Sequence, residues 1–339
     1  MGVIWSQMRP PAPQFTEQDM PSLDGKVIIV TGGNAGVGFE LVKMLYPKGG
    51  CTIYIASRSS DRIAAAIEEI KSTVPAPPAG NPTRLKSLRL DLNDLTTISE
   101  TAKEFLAQES RLDILWNNAG IAQAPIGSTT KQGYEAHMGV NCLGPYLFTK
   151  LLTPLLVKTA HSGPANSVRV IWTSSQIIET NGPAGGISFE EQQPGKHPAD
   201  KNHTYAASKA GNWFLASELD KRVRDEGVVS ITQNPGNLIT KSWDPVAGWA
   251  KFLLWPFLFE PRMGGYTMLW AGLSPQITCK DGGRYGIPWG RWHPPPKREL
   301  LGGGRGKELL ESKWTKEEGG TGLAAEFWGW CDEQTGQYA

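Results

Sequence analysis

The stretch that most constrains this chain is residues 26–44, where KVIIV runs into TGGNAGVG and then into FELVKM. After Lys26, four apolar, β-branched residues without alternation predict a short strand buried on both faces, as in a parallel sheet. Thr31, Gly32, Gly36 and Gly38 follow at once, and Glu40, Leu41, Val42 and Met44 take up a helical spacing. A glycine turn between a strand and a helix lets the backbone approach a diphosphate, because no Cβ stands in the way. The helix N-terminus adds free N–H groups and a favourable dipole. This turn, with Asn34 and Val37 inside it, is therefore a candidate dinucleotide site.

Further strands are expected at Thr52–Ala56, Lys86–Leu90, Leu112–Trp116, Val168–Thr173 and Val228–Thr232, with helical patterns between them. One helix spans Asp61–Lys71, capped by Ser60 or Asp61, and a Pro-rich loop follows at Val74–Pro82. Alternation of strand and helix predicts an α/β fold: a doubly wound parallel sheet with helices on both faces. The reading divides the chain into an N-terminal arm (1–23), one domain (24–290) and a C-terminal extension (291–339). Glu308–Trp314 and Leu323–Trp330 look locally helical within that extension, and Ile177–His203 and Pro294–Gly306 read as loops. Nine of the thirteen tryptophans lie at or beyond Trp243, which sets an aromatic C-terminal part against a conventional first half.

With a formal net charge of +1, the chain shows no electrostatic footprint for nucleic acid. Cys51, Cys142, Cys279 and Cys331 have neither disulfide-framework nor metal-ligand spacing. No metal is expected, and a reducing, cytoplasmic compartment is. His197 and His203 read as loop residues. The start lacks the pattern of a signal peptide. The longest apolar run, Val246–Phe259, is broken by Lys251 and Pro256 and is too short to span a bilayer. Met1-Gly2-Val3-Ile4-Trp5-Ser6 fits an acylation pattern on Gly2, which alone would give weak membrane-surface contact. The alternative is an arm that packs Ile4 and Trp5 on the domain. Asn202-His203-Thr204 is a glycosylation sequon, but a glycan there would crowd Tyr205.

Tyr205 and Lys209 are four residues apart. On a helix that spacing rises about 6 Å and returns to the same face. A phenol and an ammonium can then share a pocket, the pair needed to move a proton onto a carbonyl oxygen as hydride reaches its carbon. Bringing a phenol from about 10 to about 7 requires about 4 kcal/mol of preference for phenolate. One positive charge at about 4 Å supplies a comparable amount at an effective dielectric of about 20. Lys209, helped by an oxidised nicotinamide, is sufficient in principle. The second strand ends Ala56-Ser57-Arg58, with no acid until Asp61. Arg58 can pair with a ribose 2′-phosphate, which favours NADP (as NADPH) over NAD.

Thr31-Gly32-x-x-x-Gly36-x-Gly38, Asn117-Asn118-Ala119-Gly120, Ser175, Tyr205-x-x-x-Lys209 and Pro235-Gly236 together resemble the short-chain dehydrogenase/reductase family, in family order over nearly all of residues 24–290. The resemblance implies a single Rossmann-type domain. It implies that Tyr205 is the general acid/base, and that Lys209 lowers its pKa and binds the nicotinamide ribose. Ser175 would bond the substrate oxygen, and Asn141 would hold a water linking Lys209 to solvent. Ser174, beside Ser175, could stand in for it. Asp91 and Leu92 would bracket the adenine, and Asn118, Ala119 and Gly120 would line the cofactor floor. Pro235, Gly236, Leu238 and Thr240 would hold the nicotinamide amide. Gly283–Gly290 would be the last strand. Ser175 and Tyr205 stand 30 positions apart, where many members have about a dozen. The retinol-dehydrogenase-like and WW-domain-oxidoreductase-like branch carries a similar insertion, and Gly133-Tyr134-Glu135, Asn141-x-x-Gly144 and Ala56-Ser57-Arg58 resemble it too.

The implied substrate loop, 237–279, holds Trp243, Trp249, Phe252, Leu253, Leu254, Trp255, Phe257 and Phe259. Such a lining suits a lipophilic small molecule, here a ketone, aldehyde or alcohol of secondary metabolism. The same rings could instead be core, or a patch resting on lipid or another subunit. Two further functions stay open: a cofactor-binding regulatory or interaction protein with little turnover, and an epimerase or dehydratase using the same tyrosine. The resemblance also implies a homo-oligomer, unless the C-terminal extension covers the usual interface.

Overall fold

The computed structural model describes residues 2–239, 255–294 and 305–339. Its sheet has the order β3-β2-β1-β4-β5-β6-β7-β8. The strands are β1 (Val27–Thr31), β2 (Thr52–Ser57), β3 (Arg84–Arg89), β4 (Ile114–Asn117), β5 (Val168–Thr173), β6 (Val228–Gln233), β7 (Tyr285–Ile287) and β8 (Arg291–Trp292). All neighbours are parallel except β7 and β8. Strand order reverses between β1 and β4, and in such sheets ligands bind at the carboxyl ends beside that reversal.

Strand composition accounts for the layers. Along β1, Val27 and Ile29 enter one apolar cluster while Ile28 and Val30 enter another, so the strand is dry on both faces. The first cluster lies under α4 (Leu95–Gln108), α5 (Ala136–Ser162) and α6 (Lys201–Val223). The second lies under α2 (Gly36–Leu45), α3 (Ser60–Thr73) and α7 (Pro261–Leu273). Helix α5 is long and apolar enough to cross a membrane, but 72% of its most apolar window is buried inside this fold. The same composition serves a helix sandwiched between a sheet and other helices.

Several local expectations shift. Ser59, not Ser60 or Asp61, caps α3: its hydroxyl accepts from the Arg62 N–H. The segment after Ser175 is not bare loop. It carries 3-10 turns at Gln176–Glu179 and Glu190–Gln192, and α6 begins at Lys201, capped by Asp200. His203 therefore lies in the first turn of α6 with Nε2 2.9 Å from Glu191, while His197 remains in the loop. At the start of the chain, α1 (Gly2–Met8) is a helix whose buried residue is Gln7. Trp5, which the packed-arm alternative lays on the domain, meets the Phe257 ring edge-on and is 58% exposed. The extension forms α8 (Arg305–Lys313) and α9 (Leu323–Thr335). Phe327 of α9 is fully buried against the first cluster, edge-on to Phe214 of α6.

Candidate active site

The glycine turn after β1 is built tightly on one side and open on the other. Thr31 Oγ donates to the Trp116 carbonyl and accepts the N–H groups of Asn118 and Ala119. Asn118 Nδ2 returns a bond to the Thr31 carbonyl, so the ends of β1 and β4 are stitched together. A Cβ on Gly38 would come 2.5 Å from Asn118 Nδ2 and 2.7 Å from the Gly32 carbonyl oxygen. Gly36 has φ +59°, and a Cβ there would meet nothing within 4 Å, so it faces open space. The N-cap Ala35 offers no side-chain bond to the first turn of α2. Free amides over an open glycine fit a diphosphate. Asn34 and Val37 lie on the same turn, Val37 packing against the second cluster.

On the same side of the reversal as the glycine turn, Arg58 is exposed at the end of β2 and makes no hydrogen bond or ion pair among the described residues. Asp91 and Leu92 follow β3; Asp91 accepts from the Asn93 N–H, and Leu92 is buried beside Gly144. Pro235 and Gly236 follow β6, with Gly236 at φ +97° held by Asn234 Oδ1, which accepts its N–H. Leu238 is buried and bridges to Phe259. Thr240, Trp243, Trp249 and residues 252–254 lie outside the described residues. Phe257 and Trp255 sit on a 3-10 turn.

The catalytic candidates converge at the end of β5. Ser174 and Ser175 point different ways: Ser174 Oγ donates to the Lys209 carbonyl inside the helix packing, whereas Ser175 stands beside the Tyr205 phenol. Lys209 is buried, donates from Nζ to the Thr173 carbonyl at 3.0 Å, and lies 5.7 Å from the Tyr205 ring centre. Asn141 stands in a π turn, Gly139–Leu143, inside α5. Its Oδ1 accepts the Ile121 N–H, and its Nδ2 donates to the Ile121 carbonyl and Ser208 Oγ. Gly120 separates Asn141 from Lys209: a Cβ there would lie 2.9 Å from Asn141 Oδ1 and 3.2 Å from Lys209 Nζ.

Within the protein, burial works against the Tyr205 phenolate. Burial pushes Tyr205 up to about 12, and the neighbouring Ser175 hydroxyl opposes that rise. Burial also lowers the Lys209 ammonium to about 8. Desolvation outweighs attraction because Nζ is turned to a backbone carbonyl.

Sequence reasoning missed His137. It is 1% exposed and meets the Tyr205 ring edge-on at 5.7 Å. Its Nε2 accepts from the Ala124 N–H, which leaves Nδ1 facing Glu135 and Thr204. Trp289 was missed too: its Nε1 is buried without a partner among the described residues, 3.4 Å from where a Gly236 Cβ would stand. His137 belongs to no linear motif and Trp289 stands at the end of the stretch read as the last strand; only the fold brings them to the site.

Comparison with known proteins agrees with this geometry. Residues 26–250 match the family model described as short chain dehydrogenase. The chain is 47% identical over 334 residues to the short-chain dehydrogenase/reductase iacJ of Pestalotiopsis fici, covering 97% of this chain and 96% of that one. It is 40% identical over 337 residues to the short-chain dehydrogenase/reductase bet4 of Neocamarosporium betae, covering 98% and 92%. Among solved structures, an uncharacterised protein from Mycobacterium paratuberculosis superposes with a TM-score of 0.63 at 23% identity, covering 95% of this chain and 97% of that one.

Proposed function

Because the chain belongs to the short-chain dehydrogenase/reductase family of oxidoreductases, we propose that it interconverts a carbonyl and an alcohol on a lipophilic small molecule, with NADP(H) as cofactor. The observation that carries this reading is the meeting of Ser175, Tyr205 and Lys209 at the end of β5, across the strand reversal from an open glycine turn. When bound, the nicotinamide cofactor supplies or takes the hydride and, oxidised, adds positive charge beside the phenol. Tyr205 passes the proton to or from the substrate oxygen, and Ser175 holds that oxygen by a hydrogen bond. The charges of Lys209 and of oxidised nicotinamide together offset the burial of Tyr205 and favour its phenolate, and Lys209 grips the ribose. The guanidinium of Arg58, unpartnered among the described residues, supports the 2′-phosphate and hence NADP.

The aromatic-rich segment after β6 supports a bulky apolar substrate and a setting in secondary metabolism. Four free thiols support a reducing, cytoplasmic setting.

The test follows nicotinamide absorbance over a panel of lipophilic ketones and aldehydes, with NADPH and then NADH, for the wild type and Tyr205→Phe. Turnover lost in the variant with cofactor binding retained supports the mechanism. Equal rates in the two proteins overturn it. Tight cofactor binding without turnover on any substrate favours the regulatory reading.

A further inference from the structure

The N-terminal helix α1 carries the acylation pattern but none of the cofactor or catalytic motifs, yet it lies across the carboxyl ends of β5 and β6 and the amino end of β8. Three turns reach it with side chains. After β5, Gln176 Nε2 donates to the Ile4 carbonyl at 3.2 Å, and Glu179 accepts from Gln7 Nε2 at 2.6 Å. After β6, Asn234 Nδ2 donates to Gln7 Oε1 at 2.9 Å. From β8, Arg291 Nη2 donates to the Ser6 carbonyl at 2.8 Å. On its outer side, Trp5 meets the Phe257 ring edge-on at 5.8 Å.

Gln7 is the centre of this arrangement and is 1% exposed. Its amide orientation follows from its neighbours. Asn234 Oδ1 already accepts the Gly236 N–H, so Asn234 presents its NH2 to Gln7 and needs an acceptor. The Glu179 carboxylate needs a donor. A side-chain amide satisfies both at once; a carboxylate or an alkyl group does not. The two groups that Gln7 joins are four residues after Ser175 and two before Gly236.

We propose that α1 is a working part of the active site and that Gln7 is a positioning residue, setting the Ser175 turn against the Pro235–Gly236 turn. It touches neither substrate nor cofactor; it fixes the distance between the turn that holds the substrate oxygen and the turn that holds the nicotinamide. This inference rests on the oxidoreductase reading above for its kinetic consequence, but not for the clamp itself.

The test compares wild type, Gln7→Leu and Gln7→Glu, with amide hydrogen exchange and steady-state kinetics measured on the full chain. Thermal melting and circular dichroism confirm that each variant folds. Exchange at residues 177–181 and 236–238 is expected to speed up about tenfold in Gln7→Leu while α2 stays protected. The turnover number is expected to fall by about tenfold or more, the usual consequence of a small misplacement near reacting groups. Gln7→Glu separates positioning from packing. An ionised carboxylate faces Glu179, with His293 Nε2 3.6 Å beyond, Tyr285 behind, and Arg291 on the neighbouring strand. Once protonated, it can donate to Glu179 and accept from Asn234 as the amide does. Its rate relative to wild type is therefore expected to recover as pH falls from about 8 to about 5, while that of Gln7→Leu stays flat.

Gln7→Leu rates within about twofold of wild type, or unchanged exchange in both turns of that variant, would overturn the proposal. If the wild type turns nothing over, the oxidoreductase reading fails and the exchange result alone decides the clamp.

Discussion

At the scale of single residues, Lys209 is where stability and chemistry oppose each other. Its ammonium is held at about 8, below the ordinary 10.5, because it is buried. The unfolded chain thus holds this proton more firmly than the folded one. The stability contribution is complete above 10.5 and is lost as pH falls through about 8. At neutral pH the buried charge costs the fold on the order of 3 kcal/mol. Lys209→Met should remove that cost without orphaning the Thr173 carbonyl, which still accepts from Asn212 Nδ2 at 3.0 Å. The expected outcome is a higher melting temperature at pH 7 together with lost turnover, the thermal gain vanishing toward pH 10.5. A melting series in pH checks it. The same group sets the expected profile of carbonyl reduction, which should decline as pH rises through about 8 and Lys209 loses its charge. Arg58 is a second residue-scale test. Arg58→Ala should lower the NADPH-over-NADH preference in kcat/KM by about 10- to 100-fold, the worth of one or two charge-assisted bonds. An unchanged ratio would remove Arg58 from the cofactor reading.

Among elements, α6 carries the most. It presents Tyr205 and Lys209 to the end of β5, and its opposite side receives α9. Gly211 allows that approach: a Cβ there would lie 3.0 Å from the Phe327 ring and 2.8 Å from Cys142 Sγ. Around Phe327, Trp328 packs on Tyr146 and under Arg222, and Asp332 pairs with Lys150 and Tyr146. The C-terminal extension is thus bound into the core beneath the catalytic helix. Phe327→Ala should cost about 3–5 kcal/mol of stability. Limited proteolysis should then cut near α9 in a variant that retains the sheet; a variant as resistant as wild type would show that α9 contributes little. The π turn in α5 has a comparable local effect. It stands where Asn141 turns its amide to Ile121 and Ser208, and such turns recur at functional sites.

For the whole molecule, the two apolar clusters on either side of the sheet leave little thiol surface. Cys51, Cys142 and Cys331 are buried, and burial raises each thiol, Cys51 to about 11. Cys279 is partly exposed. A thiol reagent at pH 8 should therefore titrate at most one group quickly in the native chain and all four after denaturation. Rapid reaction of two or more would mean that a cluster opens readily.

Residue order by itself determined the first six strands, the glycine turn and the Tyr205–Lys209 pair, because each depends on neighbours within a few positions: short runs between turn signals, missing Cβ atoms, one helical turn. Family order carried Asn141, Ser175 and the Pro235–Gly236 turn. Only tertiary structure decided which of Ser174 and Ser175 faces the phenol, since adjacent residues differ in direction, not in composition. It also placed His137 against Tyr205 and joined Gln7 to Asn234 across 227 positions. Such contacts leave no periodic trace along the chain. The charge balance of the Tyr205 phenol is tertiary for the same reason: it depends on how deeply the site is buried and which way Lys209 Nζ turns, and neither is set by spacing.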